Sequence, residues 1–276
     1  IDKGLRLHDQ LRHESHITTA FAPHAPYSVS DGPLARILTV NSELNLPLHM
    51  HVHETAHEVE AGTKQHGMRP LARLAKLGLL GPRLIAVHMT QLLPEEIKTL
   101  AQDNVSVVHC PESNLKLASG FCPVHALVQA GVNVALGTDG AASNNSLDML
   151  EEMHIAALLA KGASGEATAV PAYTALRMAT LNGAKALGID SRTGSLTAGK
   201  AADIAAIDLS FITSQPVYDP VSQIVYATTR NQVSDVWVNG KHLLAKYRLT
   251  GMDEEKLRQK AAEWHGKIST ADRKAH

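Results

Sequence analysis

Leu46-Pro47-Leu48-His49-Met50-His51-Val52-His53-Glu54 is the stretch that decides how this chain is read. Leu46–His53 is strand-like, and side chains alternate along a strand, so His49, His51 and His53 share one face. In a barrel that face would be the interior, with deep positions filled and the last ones at the mouth. Glu54 follows where the strand gives way to a loop, three positions beyond His51. This spacing can put an imidazole on a metal and a carboxyl group beside the same water. Histidine plus carboxylate with open coordination positions suits a divalent transition metal such as Zn²⁺. A second pattern overlaps the first. His53-Glu54-Thr55-Ala56-His57 matches the zinc-protease motif, which works only when both histidines share a helical face. Against it, Thr55 and Glu58 look like a capping box that starts a helix after Thr55 and leaves His53 on the strand.

Working outward, Thr18–Ala22 reads as a strand ending in the loop Pro23–Val29. Asp31–Leu44 reads as a helix with its apolar stripe at Leu34, Ile37, Leu38 and Leu44. Glu58–Leu79 is mostly helical, interrupted near Gly67 and Pro70, and Leu84–His88 is a strand. Pro94–Gln102 is a helix with proline at its start. Val105–His109 and Val132–Gly137 are strands, with a helix over Pro123–Ala130 between them and a long helix over Ser146–Ala160 after them. Strand–helix alternation with short connections means a parallel sheet, open or closed into a barrel. After about residue 190 the pattern changes to Gly-rich turns and short strands, Asp203–Ile207 and Asp235–Asn239. Asn239-Gly240-Lys241 suits a tight hairpin. This predicts a main unit over 1–190, a small β unit over 191–250, and a C-terminal helix and tail over 251–276.

Ligands bind beyond the carboxyl ends of strands in such sheets. Five successive strands end in reactive side chains: His24, then His51 with Glu54, His88, His109 with Asn114 just beyond, and Asp139. Singly, each also reads as a structural hydrogen-bonding residue or a plain turn. Five in register point to an active-site rim. The two cysteines, Cys110 and Cys122, do not supply the PCxxC motif of cytidine-deaminase zinc sites. They make no disulfide framework either, so a reducing cytoplasm is the simplest home.

Across 276 residues the formal charge is −1, with no basic stripe pointing to nucleic acid or an anionic membrane. Apolar runs such as Ile155–Ala160 are too short to span a bilayer. Ile1-Asp2-Lys3-Gly4 lacks the layout of a secretory signal. Aromatics are only 4%, so Leu, Ala, Val and Ile must build the core, while the 16 histidines direct attention to metal chemistry.

The order His51-Val52-His53-Glu54, Val87-His88 and Leu136-Gly137-Thr138-Asp139 resembles the amidohydrolase superfamily. Phe21-Ala22-Pro23-His24-Ala25-Pro26-Tyr27 and His109-Cys110-Pro111-Glu112-Ser113-Asn114-Leu115-Lys116 are more specific strings. With Gly137-Thr138-Asp139-Gly140-Ala141-Ala142-Ser143-Asn144-Asn145, they resemble the 5′-methylthioadenosine/S-adenosylhomocysteine deaminases of that superfamily. Gly194–Asp203 is similar to the family's return into its small β-sandwich.

The resemblance implies an α/β fold: about strands 4–8 of a (β/α)8 TIM-type barrel, with part of a small β-sandwich. It implies a zinc-dependent hydrolase that deaminates an adenosine analogue to the inosine analogue and ammonia. One Zn²⁺ per subunit is the usual ion, with Fe²⁺ or Mn²⁺ as alternatives. His51 and Asp139 would be metal ligands, and Glu54, His88 and Asp139 the catalytic groups. His24, Glu54, Asp139 and Ser143 would bind a small nucleoside, with no nucleic acid or membrane partner. The family's His-x-His metal pair on its first barrel strand is not matched, since His8, His13 and His16 are not so spaced. The chain is therefore expected to begin partway round the barrel, to need the N-terminal half, and to be inactive and poorly soluble alone. A homodimer is the default for a soluble enzyme. Guanine deaminase, a triazine chlorohydrolase-like enzyme and a non-catalytic binding subunit are the competing readings.

Overall fold

The computed structural model describes residues 1–275, so of the expected tail over 251–276 the last residue lies outside the described residues. Two helices, α1 (Asp2–Leu11) and α2 (Asp31–Leu44), precede strand β1 (Leu48–Val52). Helices α3 (Ala56–His66) and α4 (Pro70–Lys76) lead to β2 (Leu84–His88), and α5 (Pro94–Gln102) leads to β3 (Ser106–His109). Helices α6 (Pro111–Lys116) and α7 (Val124–Gln129) lead to β4 (Val134–Leu136). These strands form one parallel sheet in the order β1-β2-β3-β4. Helical connections are what parallel neighbours require, because no tight turn can return the chain to the same end. The expected α/β class with a parallel sheet is what the chain adopts.

Helices α8 (Met149–Ser164), α9 (Ala172–Met178) and α10 (Leu181–Ala186) pack beside β4. Then come β5 (Ile204–Ile207), α11 (Pro220–Ala227), β6 (Val233–Val238), β7 (Lys241–Ala245) and β8 (Arg248–Leu249). Strands β5 to β8 make a separate antiparallel sheet. Its hairpin turns at Asn239 and Gly240, both with positive φ (48° and 78°), so Val238 pairs with Lys241. That is the two-residue turn whose twist matches paired strands. Helix α12 (Glu254–Ala275) closes the described chain. Among the described residues no helix is long and apolar enough to cross a membrane.

Burial follows the alternation of β1. Leu48, Met50 and Val52 are buried in the main core, whereas His49 and His51 face the other way and are partly exposed. Ala86, Val107 and Val134 extend the apolar layer across the sheet, and Leu34, Leu74, Leu100, Leu127 and Met153 cover it from the helices. Burying each such side chain contributes about 2 kcal/mol. The strand expected over Thr18–Ala22 shortens to one bridge between Phe21 and Leu48. Pro23 has no N–H to extend the ladder and restricts the residue before it. The segment nevertheless runs beside β1, with Phe21 N–H donating to Pro47 O and His49 N–H to Phe21 O.

The loop after this bridge carries His24 and is pinned by one buried side chain. Arg73 donates from Nη1 to Pro26 O at 2.5 Å, from Nη2 to Val29 O at 3.0 Å and from Nε to Asp31 Oδ1 at 2.8 Å. Removing it strands two carbonyls and a carboxylate partner. Arg73→Ala is expected to lower stability by about 3 kcal/mol in urea unfolding. Arg36→Ala, which breaks only the exposed pair with Asp2, should cost less than about 1 kcal/mol.

Candidate active site

The carboxyl ends of β1 and β2 bring four side chains together. His51 projects from β1 on the face away from the core. Its Nδ1 lies 2.7 Å from His24 O. A carbonyl only accepts, so Nδ1 carries the proton and Nε2 keeps its lone pair. The His24 ring sits 4.9 Å from that of His51 and 5.7 Å from that of Tyr27. By register His88 pairs with Val52, on the core side of the sheet. Its backbone, however, turns to φ 78°, and the ring stacks on His51 with centroids 5.4 Å apart. His88 Nδ1 is 2.9 Å from Asn114 Oδ1, and Nε2 is 3.9 Å from Glu54 Oε2. Burial holds the His88 pKa below its ordinary value, while Glu54, the bond to Asn114 and Asp139 pull the other way. Both carboxylates thus act on the same imidazole.

Glu54 is set by the backbone on either side of it. Thr55 caps α3, accepting from Glu58 N–H at 3.1 Å. The Glu58 carboxylate turns back over the start of the helix. It reaches further, accepting from His53 N–H at 3.1 Å and Glu54 N–H at 2.7 Å. Thr90 Oγ1 donates to Glu54 O at 2.7 Å. His53 was expected on the His49–His51 face, and the structure corrects this. Its φ is 53° and its ring is fully buried, with Nε2 accepting from Leu71 N–H at 3.1 Å. Burial lowers its pKa to about 4. His57 lies exposed on α3. The two histidines of the protease pattern share no helical face.

Asp139 follows β4 with φ 61°. Two residues earlier Gly137 must lack a side chain, since a Cβ there would sit 2.9 Å from Val108 Cγ1. Asp139 Oδ2 accepts from Ser113 Oγ at 2.6 Å and Ser143 Oγ at 2.9 Å, and Oδ1 accepts from Gly140 N–H at 2.7 Å. Burial alone would raise its pKa. The bonds from Ser113, Gly140 and Ser143, together with His88, outweigh that and hold it below the ordinary carboxylate value. The Ser143 hydroxyl, which the resemblance places at the substrate, donates to Asp139 and would meet a nucleoside as an acceptor. Sequence reasoning misses Ser113 as a partner of Asp139, although it lies within the string His109–Lys116.

His109 does not join the group at the mouth. Its register partner is Leu136, it is fully buried, and its Nδ1 has no hydrogen-bond partner among the described residues. Burial, with His88 adding to it, drives its pKa to about 3. Asn114 is a positioning group for His88 rather than a loop cap. Burial pushes the Cys110 and Cys122 thiols up, so neither offers a thiolate. Among the described residues no group of three or more His, Cys, Asp or Glu side chains is placed to hold a metal ion. His51 Nε2 and the Asp139 carboxylate suit a divalent ion chemically, as part of a donor set that these residues do not close.

Comparison with known proteins places the chain among named relatives. Curated relatives include 5-methylthioadenosine/S-adenosylhomocysteine deaminases of Teredinibacter turnerae, 51% identical over 97% of this chain and 61% of that protein, and of Saccharophagus degradans, 50% identical over 97% and 60%. An adenosine deaminase from Xanthomonas campestris, solved with bound zinc, superposes with a TM-score of 0.96 at 53% identity, covering 98% of this chain and 61% of that one. An atrazine chlorohydrolase from Arthrobacter aurescens, complexed with zinc, gives 0.87 at 26% identity, covering 95% and 59%. The chain thus spans about three fifths of the length of the relatives it matches. The amidohydrolase family model matches residues 2–243, which take in the whole parallel sheet and every side chain of the site, and the chain belongs to that family.

Proposed function

We propose that the protein to which this chain belongs deaminates an adenosine analogue hydrolytically, of the methylthioadenosine or S-adenosylhomocysteine kind, giving the inosine analogue and ammonia. The convergence of His51, Glu54 and His88 at one end of a parallel sheet carries this reading. Its substrate class is supported by relatives near 50% identity that bear that name, against 26% for the chlorohydrolase. We read the parallel sheet over 1–190 as an arc of a (β/α)8 barrel, about its strands 4–8, and the antiparallel sheet over 191–250 as part of a β-sandwich.

His51 and Asp139 would hold the divalent ion, of zinc type, which supplies a water acidic enough to attack at neutral pH. His24, on the arginine-pinned loop, and Ser143 would flank the nucleoside. Glu54 gives a proton to the purine ring nitrogen next to C6, cancelling negative charge as water adds there. His88 orients that water, its Nδ1–H fixed by Asn114 so that Nε2 faces the site. Asp139 takes one proton from the water and returns it to the departing amine, while the proton left on the C6 hydroxyl passes to Glu54 as the carbonyl forms and restores the acid.

Glu54→Gln tests the acid directly. In the full-length protein it should abolish ammonia release from methylthioadenosine while zinc remains bound, as read by metal analysis. Wild-type rates in that variant would remove Glu54 from the reaction. Stoichiometric zinc in the unaltered protein without ammonia from any aminopurine or triazine would favour a binding subunit instead.

Ser113→Ala removes the shortest donor to Asp139. The Asp139 carboxyl should then titrate at higher pH, followed by ¹³C NMR in metal-free protein, and kcat should fall about tenfold. Because its folded pKa is depressed, Asp139 stabilises the native state above the unfolded value of about 3.9. That contribution disappears as pH falls through the folded value, and it should be smaller in the variant.

A further inference from the structure

Two loops supply the hydroxyls on Asp139, and a single buried carboxylate stands behind both. Ser113 belongs to the loop and short helix after β3, and Ser143 to the loop after β4. Next to Ser113, the Glu112 N–H donates to Glu152 Oε2 at 3.4 Å. Next to Ser143, Asn144 Nδ2 donates to Glu152 Oε1 at 2.5 Å. Asn144 is itself fixed, accepting at Oδ1 from Leu147 N–H at 2.8 Å and donating its own N–H to Gly140 O at 2.9 Å. Gly140 is the residue whose N–H completes the hold on Asp139.

Glu152 lies on α8 with no exposed surface. Burial raises its pKa to about 7, against the pull of the Glu112 N–H and the Asn144 amide. An apolar residue of similar volume would be cheaper to bury there. A carboxylate has two acceptor oxygens on one rigid plane, which is what joining two donor loops requires.

We propose that Glu152 is a positioning residue of the active site: its two oxygens bind the β3 and β4 loops into one unit, so that Ser113 and Ser143 hold Asp139 in its working orientation. This rests on the role given to Asp139 above. Glu152 acts only through those loops.

Shape alone does not meet this requirement. Glu152→Gln keeps the volume but turns an NH₂ group towards one of the two donors, so one loop is released. Adding Asn144→Asp reverses the polarity of that contact. The introduced amide then donates to the introduced carboxylate and still accepts from Glu112 N–H, while the other carboxylate oxygen keeps Leu147 N–H.

The test uses the full-length protein, measuring kcat and KM for methylthioadenosine per zinc-loaded site, zinc affinity by chelator competition, and the thermal midpoint. E152Q should lower kcat about tenfold with KM within about twofold, and weaken zinc about tenfold. The double variant N144D/E152Q should recover most of both. Wild-type kcat per loaded site and wild-type zinc affinity in E152Q overturn the proposal, whatever happens to the thermal midpoint. So does a loss that the double variant leaves unrepaired although its midpoint matches the wild type. Should the unaltered protein release no ammonia, the deaminase reading fails, and zinc affinity in the two variants still decides the place of Glu152.

Discussion

Strand parity is the constraint on which the site is built. A strand sends successive side chains to opposite faces, and this sheet needs one face for its core. Left to parity alone, His88 would lie with Val52 in the apolar layer. Left-handed backbone at the ends of the strands changes that, with positive φ at His53, His88 and Asp139. Each such residue costs on the order of 1–3 kcal/mol without a glycine to relieve it. The turn at His88 swings an imidazole towards His51, and the turn at His53 sends another into the core. The same geometry that brings one histidine to the mouth removes its neighbour.

That strain persists because the surrounding polar groups over-determine it. Glu58 receives two backbone N–H groups across the His53 turn, and Thr90 closes the loop from the β2 side. Asp139 is met by three donors. A hydrogen bond to a charged group contributes about 1.5–3 kcal/mol net, so two or three offset one strained residue. Glu58 and Glu152 are buried carboxyl groups whose pKa values rise on burial. Each is nevertheless retained where it receives N–H groups from the loops that carry the site.

Much of this was legible in the sequence. The helix over Asp31–Leu44 and the strand over Leu84–His88 come out with the bounds read from periodicity. Thr55 caps its helix as its position before Glu58 implied. The side-chain direction of His53 was not legible, because alternation holds only while the strand continues and nothing in Val52-His53-Glu54 announces a positive φ. Helix α6, six residues and less than two turns, was not legible, whereas α7, equally short, lies inside the helix read over Pro123–Ala130. Helix α11 was also missed, although it had a readable start in Asp219 and Pro220, with Asp219 Oδ1 accepting from Val221 and Ser222 N–H. Ser113 lies in a string that resembles the family's, yet its tie to Asp139 depends on β3 and β4 being neighbours, which local sequence does not encode.

The two carboxylates at the mouth differ in how much freedom the fold leaves them. Asp139 has donors on both oxygens from two loops, and turning it would break three bonds at once. Glu54 is fixed through its main chain, while among the described residues its carboxylate meets only His88 Nε2 at 3.9 Å, too far for a direct hydrogen bond. A group that must follow a ring nitrogen as C6 changes from planar to tetrahedral needs such freedom. A group that stays put while a proton arrives and leaves needs the opposite. In the proposed reaction the mobile carboxyl is the acid and the clamped one the relay. That difference in freedom supports the two parts proposed for them.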